Sequence, residues 1–284
     1  MRQTKYPEYS VLMSIYYKEN PLWFEESIES MINQTIKPKE FVLVKDGPLT
    51  NELEMVILSY VSKFPNLFKI ISIEKNGGLG PALQIGVNNC TCEFIARMDS
   101  DDISESTRIE RELDLFLEDE KLGMVGTNVI EFCGEISNEI CQVVLPETHK
   151  EIVSFSKKRN PFRHPSILFK KEAILNAGNY RDYYLFEDYD MWIRMLRSGC
   201  KCYNIQDNLV YMRVSPDFYK RRGGIKYLRS VKRFLKEQRQ IGYFSFNEYI
   251  RTLIPRTIVC LLPNFARDLI YRKMLRKKGK KKNG

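Results

Sequence analysis

The chain has 284 residues, of which 43% are hydrophobic and 29% charged, a composition typical of a soluble globular enzyme rather than a disordered or fibrous protein. Its 45 basic and 36 acidic residues give a net charge of +9, and residues 256–284 alone carry ten basic residues and one acid. The excess charge therefore lies in a C-terminal tail, whereas a protein that reads nucleic acid more often spreads it over the folded domain. Seven cysteines without zinc-site spacing indicate reduced thiols and a cytoplasmic protein, and we expect no secretory signal and no membrane-spanning segment.

The first half of the chain alternates strand-like and helix-like segments, the order that predicts a parallel sheet covered by helices. Apolar runs predict strands at 10–16, 41–44, 68–73 and 94–98, and helical spacing predicts helices at 21–32, 52–64, 81–89 and 108–117. Asn20 and Pro21 have the residue types of a helix cap and a first turn. These elements predict an α/β fold.

The second half is less regular, and its predicted elements are fewer. Strands are expected at 125–132 and toward the end of 162–169, and helices at 171–177 and 187–197, with His149 in a loop. From Ile225 the composition shifts to basic helices, with breaks predicted at Ile254-Pro255 and Leu262-Pro263. We predict one domain over 1–215, with halves at about 8–125 and about 126–215, followed by a basic helical extension over 216–284.

Three carboxylates lie within the four positions Asp99 to Asp102, directly after the strand predicted at 94–98. Their mutual repulsion is costly unless a cation lies among them. A divalent ion such as Mg²⁺ or Mn²⁺, held by one or two carboxylates and by phosphate oxygens, has the matching chemistry. A helix N-terminus explains the same residues, with Asp102 or Ser104 as the cap. Both interpretations stay open on this motif alone.

Asp46 and the glycine-rich turn at 76–80 also follow predicted strands, and open α/β sheets bind ligands at the carboxyl ends of their strands. The turn precedes a helix, so its backbone could approach a phosphate or a sugar at the helix N-terminus. Glycine-rich turns before helices are also common where they only connect two elements. Asp46 could accept hydrogen bonds from a base or a ribose, or serve only the bend that Gly47 and Pro48 form.

Glu187 and Asp188 begin an amphipathic helix whose first turn is acidic. Acids are favoured there by the helix dipole, and either one could instead be a general base. His164 lies between Arg163 and Pro165, and an isolated histidine is more often structural than catalytic. These residues leave a structural and a catalytic interpretation open.

Taken in order, the first strand, Asp46, the 76–80 turn, the Arg97 to Asp102 segment and the Glu187-Asp188 pair closely resemble glycosyltransferase family 2. The resemblance covers about residues 8 to 215 and is closest to bacterial members that build capsular, exopolysaccharide or lipopolysaccharide chains. It implies a GT-A fold, a nucleotide-diphosphate sugar donor that is usually UDP-linked, Mn²⁺ or Mg²⁺, and inversion at the anomeric carbon by direct displacement.

The resemblance makes 1–215 the catalytic domain, with its donor half at about 8–125 and its acceptor half at about 126–215, and it also assigns roles to residues. It assigns the donor site to Ser14, Tyr16, Asp46, Asn76, Gly77, Arg97 and Asp99. It assigns the metal to Asp101 together with Asp99, and the general base to Asp188 with Glu187 beside it. On the acceptor side it suggests His164 and Trp192, with Asn160 and Pro161 as further neighbours. Many GT-A enzymes have a later metal-binding histidine, which this chain lacks, and Arg222 is a candidate for the diphosphate in its place, a solvated basic loop being the alternative.

The last forty residues interleave apolar and cationic positions, a pattern that can lie on an anionic membrane. We therefore expect a peripheral protein at the inner face of the plasma membrane, near a lipid-linked saccharide acceptor; a helix packed on the catalytic domain is the alternative.

Two other functions fit the sequence less well. A sugar-phosphate nucleotidyltransferase would carry a glycine-rich loop with Arg and Lys near residues 10–19, where none exists, and a nucleic-acid-binding protein would leave both acidic motifs unexplained. We expect no nucleic acid partner.

Overall fold

The structure, a computed structural model, describes residues 6–215 and 223–263. Within these ranges the strands are β1 (Tyr9–Ile15), β2 (Glu40–Asp46), β3 (Phe68–Ile73), β4 (Phe94–Arg97), β5 (Ile103–Ser104), β6 (Leu122–Phe132), β7 (Glu139–Val143), β8 (Leu168–Lys170) and β9 (Lys201–Arg213). The helices are α1 (Pro21–Ile32), α2 (Asn51–Lys63), α3 (Leu79–Asn89), α4 (Arg108–Glu118), α5 (His149–Ser156), α6 (Lys171–Asn176), α7 (Glu187–Arg197), α8 (Gly224–Gln240) and α9 (Phe246–Leu261).

In the described part of the chain all nine strands join one mixed sheet. Their order is β3-β2-β1-β4-β8-β6-β9-β5, and β7 pairs with β6. The first four strands in this order are parallel, as predicted for the first half. The second half departs from a parallel sheet because β8 runs antiparallel to both of its neighbours, β4 and β6. The sheet of the whole molecule is therefore mixed.

Most predicted elements are confirmed within one to three residues, while two local predictions are wrong and one long strand was missed. Asn20 caps α1 as expected, since its side chain accepts hydrogen bonds from the backbone of the first turn. His149 is not in a loop but begins α5, which Thr148 caps. Pro255 does not break α9, because it lies on the exposed side of the helix, where water can replace the lost hydrogen bond. The long strand β9 was not predicted at all.

Two hydrophobic clusters cover the two faces of the sheet. One packs α1, α2 and α4 against it, and the other packs α3, α6 and α7 against the opposite face. A third, aromatic cluster joins α7 to α8 and α9, with Phe234 of α8 at 4.8 Å from Phe186 and 4.6 Å from Tyr189 between ring centroids. The helix that begins at Glu187 is thus fixed from both sides.

Candidate active site

The carboxyl ends of β1, β2 and β4 lie side by side at one edge of the sheet. Ser14 pairs with Val44 of β2, and Leu12 pairs with Arg97 of β4, so the residues that follow these parallel strands are neighbours. Ser14 is partly buried, and Tyr16, just beyond β1, is 37% exposed. Two of the predicted donor residues thus lie at this edge, together with the ends of the strands that carry Asp46 and Arg97.

Asp46 holds the glycine-rich turn. Its two carboxylate oxygens accept hydrogen bonds from the backbone nitrogens of Gly77 (2.8 Å) and Gly78 (3.0 Å), and the Asn76 amide donates to its carbonyl at 3.0 Å. Gly47 has a φ of +88°, and a Cβ there would lie 2.8 Å from the nitrogen of Asn76. The Asp46 carboxylate and two N–H groups of the turn are therefore engaged with each other in this structure, in a positioning arrangement that the sequence did not reveal.

Gly80 brings the glycine-rich turn against the acidic helix. A Cβ at Gly80 would lie 2.2 Å from the carbonyl oxygen of Arg181 and 3.3 Å from Cβ of Glu187. Backbone at 2.2 Å cannot give way, so only glycine allows this approach. The start of α3 and the start of α7 therefore meet, although more than a hundred residues separate them in the sequence.

Arg97 lies at the centre of the candidate site. Its side chain is 1% exposed and forms an ion pair with Asp99, whose side chain is 31% exposed. The Nε and Nη1 atoms of Arg97 are buried without a hydrogen-bond partner. The buried side chain of Arg108 donates to the carbonyls of Arg97 (3.2 Å) and Ile167 (3.1 Å) and so fixes the end of β4. Buried N–H groups that lack an acceptor are rare, and they point to an anionic ligand.

The three carboxylates after β4 have different surroundings. Burial, together with the charges of Asp99 and Glu19, raises the pKa of Asp101 to about 8. Asp102 is 1% exposed and accepts a 2.7 Å hydrogen bond from the backbone nitrogen of Arg213; burial raises its pKa well above the ordinary value. Asp102 thus ties the loop to the end of β9.

The interpretation of this loop as a helix cap is wrong. The residue before α4 is Thr107, whose side chain makes no capping hydrogen bond, and neither Asp102 nor Ser104 occupies that position. Ser104 lies instead in β5, where it pairs with Val210. The acidic loop therefore ends in a strand before the helix begins.

Arg213 and Glu19 support this loop, and the sequence analysis missed both. The Arg213 Nε donates to the carbonyl of Asp101 at 2.9 Å, and its guanidinium lies 4.7 Å from the ring centroid of Trp23 and 4.5 Å from that of Phe132. Glu19 accepts a 2.6 Å hydrogen bond from Ser100. Arg213 ends β9, so a strand prediction over 201–213 was the signal that could have found it.

The first turn of α7 holds the second acidic group. The Asn160 amide donates to Asp188 Oδ2 at 2.6 Å, so an expected acceptor-side neighbour lies at the candidate base. Burial and the charge of Asp188 raise the pKa of Glu187 to about 8, and the positive charge of Arg97 acts in the opposite direction. Arg97 is thus close enough to interact with the charges of both acidic groups.

Asp190 in the same turn has a structural environment. It is 1% exposed, pairs with Arg194 at 2.9 Å and accepts from Gln238 of α8 at 3.2 Å. The acidic turn therefore contains two carboxylates at the site and one that holds α7 to its neighbours.

His164 and Trp192 are buried side chains that pack against each other. Trp192 has no exposed area and its ring packs against His164 at 5.8 Å between centroids. His164 Nε2 lies 2.9 Å from the hydroxyl of Tyr180, and burial, with the charge of Arg97, lowers the pKa of the imidazole well below its usual range. His164 is 8% exposed and Trp192 not at all, and their assignment to the acceptor side stays a prediction.

Asp99 and Asp101 are the residues that could hold a metal ion. Among the described residues no group of three or more His, Cys, Asp or Glu side chains has the arrangement of a metal site. Magnesium and manganese ions often take only one or two protein carboxylates and complete their coordination with water and substrate phosphates. Burial, and after it the charges of Asp99 and Glu19, raise the pKa of Asp101, so a cation shared with a phosphate ligand would stabilise its charged form. Arg222 lies outside the described residues.

Comparison with known sequences gives a consistent set of relatives. The model of the family described as Glycosyl transferase family 2 matches residues 10–176. An Escherichia coli protein named UDP-Gal:alpha-D-GlcNAc-diphosphoundecaprenol beta-1,3-galactosyltransferase is 38% identical, over 95% of this chain and 98% of the relative. The amylovoran biosynthesis glycosyltransferase AmsE of Erwinia amylovora is 32% identical, over 93% of this chain and 98% of the relative.

Solved structures agree on the fold. The mannosyltransferase PcManGT of Pyrobaculum calidifontis, solved with GDP-Man and Mn²⁺, has a TM-score of 0.61 and 16% identity over 93% of this chain and 73% of that one. Residues 1–349 of S. aureus TarS, solved with UDP-GlcNAc, have a TM-score of 0.61 and 14% identity over 93% of this chain and 70% of that one. The predicted GT-A fold is confirmed by these likenesses.

Proposed function

The chain belongs to glycosyltransferase family 2, and we propose that it moves a sugar from a UDP-linked donor to a saccharide hydroxyl with inversion at the anomeric carbon. Two solved structures with a similar fold contain a bound nucleotide sugar, which is GDP-Man in one and UDP-GlcNAc in the other. The E. coli relative is named for UDP-Gal, which makes UDP-galactose the first donor to test. No observation favours the nucleotidyltransferase or the nucleic-acid-binding alternative.

The observation that carries this proposal is the half-satisfied guanidinium of Arg97. Its pairing with Asp99 leaves two buried nitrogens, Nε and Nη1, without an acceptor. A diphosphate at this edge of the sheet would supply the missing oxygens and would meet a positive charge that is already held in place. Because Arg97 is buried and fixed, its donors need no reorganisation when charge develops on the leaving diphosphate.

Asp101, with Asp99, would hold a divalent ion beside the diphosphate. When bound, such an ion supplies positive charge that stabilises the leaving diphosphate. The carboxylates contribute independently of that chemistry, since Asp99 orients the guanidinium of Arg97 through their ion pair. The loop also depends on Arg213 and Glu19, which hold the Asp101 carbonyl and the Ser100 hydroxyl.

Asp188 is the proposed general base. It takes the proton of the acceptor hydroxyl while that oxygen bonds to the anomeric carbon and the bond to the diphosphate oxygen breaks. The Asn160 amide fixes one carboxylate oxygen of Asp188 by a 2.6 Å hydrogen bond, which holds the base in one orientation. Glu187, with its pKa raised to about 8, retains a proton near neutral pH and so keeps a second negative charge away from Asp188.

The proposed acceptor is a lipid-linked saccharide of a surface-polysaccharide pathway. The E. coli relative is named for an acceptor on diphosphoundecaprenol, and AmsE is named for amylovoran biosynthesis. Both relatives match this chain over nearly its full length, including the segment that contains Asn160 and Asp188. We also propose that the protein associates with the inner face of the plasma membrane; most of the basic tail on which that prediction rests lies outside the described residues.

A transfer assay tests this function directly. The purified protein is incubated with a short-chain GlcNAc-diphospho-lipid, Mn²⁺ and single UDP-sugars, and both released UDP and the glycosylated lipid are measured. We expect product with one UDP-sugar, loss of product in Asp188→Asn, and normal product in the matched control Asp182→Asn, which changes an exposed aspartate. Failure of every UDP-sugar, combined with transfer from a GDP-sugar, would correct the donor; equal transfer by Asp188→Asn and wild type would remove Asp188 from the role of base.

A further inference from the structure

Helix α9 is apolar on two opposite sides. Its inner side, which includes the buried Thr252 and Cys260, packs with Tyr249 and Leu253 against the aromatic cluster that joins it to α7 and α8. A surface helix of a globular protein usually has one apolar stripe and a polar opposite side. The outer side of α9 therefore needs its own explanation.

The outer side presents large aliphatic residues to solvent. Ile254, Ile258 and Leu261 are 52%, 56% and 65% exposed, and their spacing of four and three residues places them on one face. The exposed Arg251 and Pro255 lie beside them on the same face. We call Ile254, Ile258 and Leu261 the outer stripe of α9. It is a contiguous apolar surface, which in a soluble protein marks an interaction site.

The helix that packs against α9 is strongly basic. The neighbouring helix α8 exposes the basic side chains Lys226, Arg229, Lys232, Arg233, Lys236 and Arg239. The only acid in α9 is Glu248, which caps the first turn together with Ser245, far from the stripe. The chain then continues for residues 264–284, in which the sequence has nine basic residues and one acid. The described helices α8 and α9 together therefore carry eight basic and two acidic side chains, and the sequence that follows them is also basic.

We propose that the outer stripe of α9 docks on the surface of an anionic lipid bilayer. Apolar side chains flanked by cations are what an interfacial helix needs, since the apolar groups enter the acyl boundary and the cations meet anionic headgroups. A second copy of this chain is the less suitable occupant, because it would bring two basic surfaces together. Within the described residues no helix is long and apolar enough to cross a membrane, so the contact is with the surface.

This inference rests on the proposed function and adds the orientation of the enzyme. Arg256 on the inner side of α9 lies 5.9 Å from the ring centroid of Phe186 and 5.8 Å from that of Tyr189, and it donates to the carbonyl of Lys158 at 3.2 Å. Asp188 is the residue before Tyr189. The candidate base is thus next in sequence to an aromatic residue that the inner side of α9 contacts, and the stripe lies on the opposite side of the same helix. Docking would bring that end of the site close to an acceptor whose diphosphate lies at the membrane surface.

Vesicle binding by the full chain tests the proposal. Sedimentation is measured with vesicles of phosphatidylcholine alone and with vesicles that contain about 30% phosphatidylglycerol. The test variant is Ile254→Ser/Ile258→Ser/Leu261→Ser, and the matched control is Met55→Ser/Leu58→Ser on α2, where both residues are 62% exposed. We expect wild type and control to bind the anionic vesicles. The affinity of the test variant for these vesicles should be lower by about tenfold or more.

Two further measurements keep the outcomes separate. Circular dichroism and the thermal midpoint show whether the test variant is folded, and transfer to a water-soluble saccharide acceptor shows whether the proposed function is intact. Lost vesicle binding with retained transfer supports the docking surface. Wild-type binding by a folded test variant would overturn it, as would a wild-type dimer in light scattering that the three serines convert to a monomer. Failure of transfer in wild type, with vesicle binding as expected, would count against the proposed function alone.

Discussion

The two acidic groups of the site, Asp99 to Asp102 and Glu187 to Asp190, are similar in sequence and differ in how their charge is balanced. In each group one carboxylate is structural: Asp102 binds the backbone of Arg213, and Asp190 binds Arg194 and Gln238. The remaining carboxylates face the site. The sequence alone cannot separate the two kinds, because the partners of the structural members come from distant elements.

The difference between the groups lies in their site-facing members. Asp101 has a raised pKa because burial and two further acids surround it, a situation that a divalent ion relieves. In the α7 group burial and the charge of Asp188 raise the pKa of Glu187 to about 8, while Asp188 accepts a hydrogen bond from Asn160. We therefore propose that the first group holds a cation and the second accepts a proton, and the following predictions test that division.

The largest effect is expected from Asp188→Asn, which removes the proposed base and preserves its shape. Transfer should fall by about 10³-fold, within the range for loss of a general base, while UDP affinity stays within about twofold of wild type. Steady-state transfer and calorimetric UDP titration check the two parts, with Asp182→Asn as the control. Loss of UDP binding in Asp188→Asn would place the residue in the donor site and break the division.

A second prediction concerns the structural member of the α7 group. Asp190→Ala leaves the buried Arg194 without its ion-pair partner and should lower the free energy of unfolding by about 3 kcal/mol. The double variant Asp190→Ala/Arg194→Met should lose less, because no unpaired charge stays buried. Chemical denaturation measures both. A double variant that is less stable than the single one would contradict this assignment.

Arg213→Lys should weaken the metal response of the first group. The change keeps the charge but loses the planar guanidinium that donates to the Asp101 carbonyl and lies between Trp23 and Phe132. The Mn²⁺ concentration for half-maximal UDP binding should rise about tenfold, a usual cost of losing support for a metal ligand. Transfer at saturating Mn²⁺ should change little, and Arg111→Lys, in an exposed ion pair with Asp207, is the control. A fall in transfer at saturating Mn²⁺ without a shift in the metal response would show that Arg213 does not act through the loop.

A final prediction concerns the pH dependence that Glu187 contributes to stability. Its pKa is raised from 4.5 to about 8 in the folded protein, so between these values the folded state holds a proton that the unfolded state has released. Stability contributed in this way is present at low pH and is lost as the pH rises, by at most about 1.4 kcal/mol per pH unit. Unfolding measured from about pH 5.5 to 7.5 should show a flatter dependence for Glu187→Gln than for wild type or for the exposed control Glu172→Gln. Equal slopes in all three would mean that Glu187 is ionised in the folded protein.

Much of the first half of the fold could be predicted from local patterns. Strands β1 to β4 have clear apolar runs, and helices α1 to α4 have helical spacing of their apolar residues. Parallel pairing places the carboxyl ends of the four strands at one edge of the sheet. The second half could not be predicted as well, because β8 enters the sheet antiparallel and β9 alternates poorly, with the polar residues Asn204 and Asn208 inside it. Missing β9 also meant missing Arg213.

The candidate site shows the same limit at the level of single residues. The sequence motifs pointed to Asp46, Arg97, Asp101 and Asp188 as site residues. They did not predict what each of these side chains contacts. Asp46 binds the glycine-rich turn, an arrangement that depends on the fit of Gly47 against Asn76. The burial of Trp192 and His164 follows from packing across α7, which residue type alone does not reveal.

Calorimetric titration of the protein with UDP, with and without Mn²⁺, tests the central claim most directly. The same titration is made on Asp101→Ala and on Asp114→Ala, a control that changes an aspartate of α4 outside the site. We predict Mn²⁺-dependent binding of UDP by wild type and the control, and its loss in Asp101→Ala. The absence of UDP binding by wild type, or binding that depends on neither Mn²⁺ nor Asp101, would contradict the account of a donor site built from Arg97, Asp99 and Asp101.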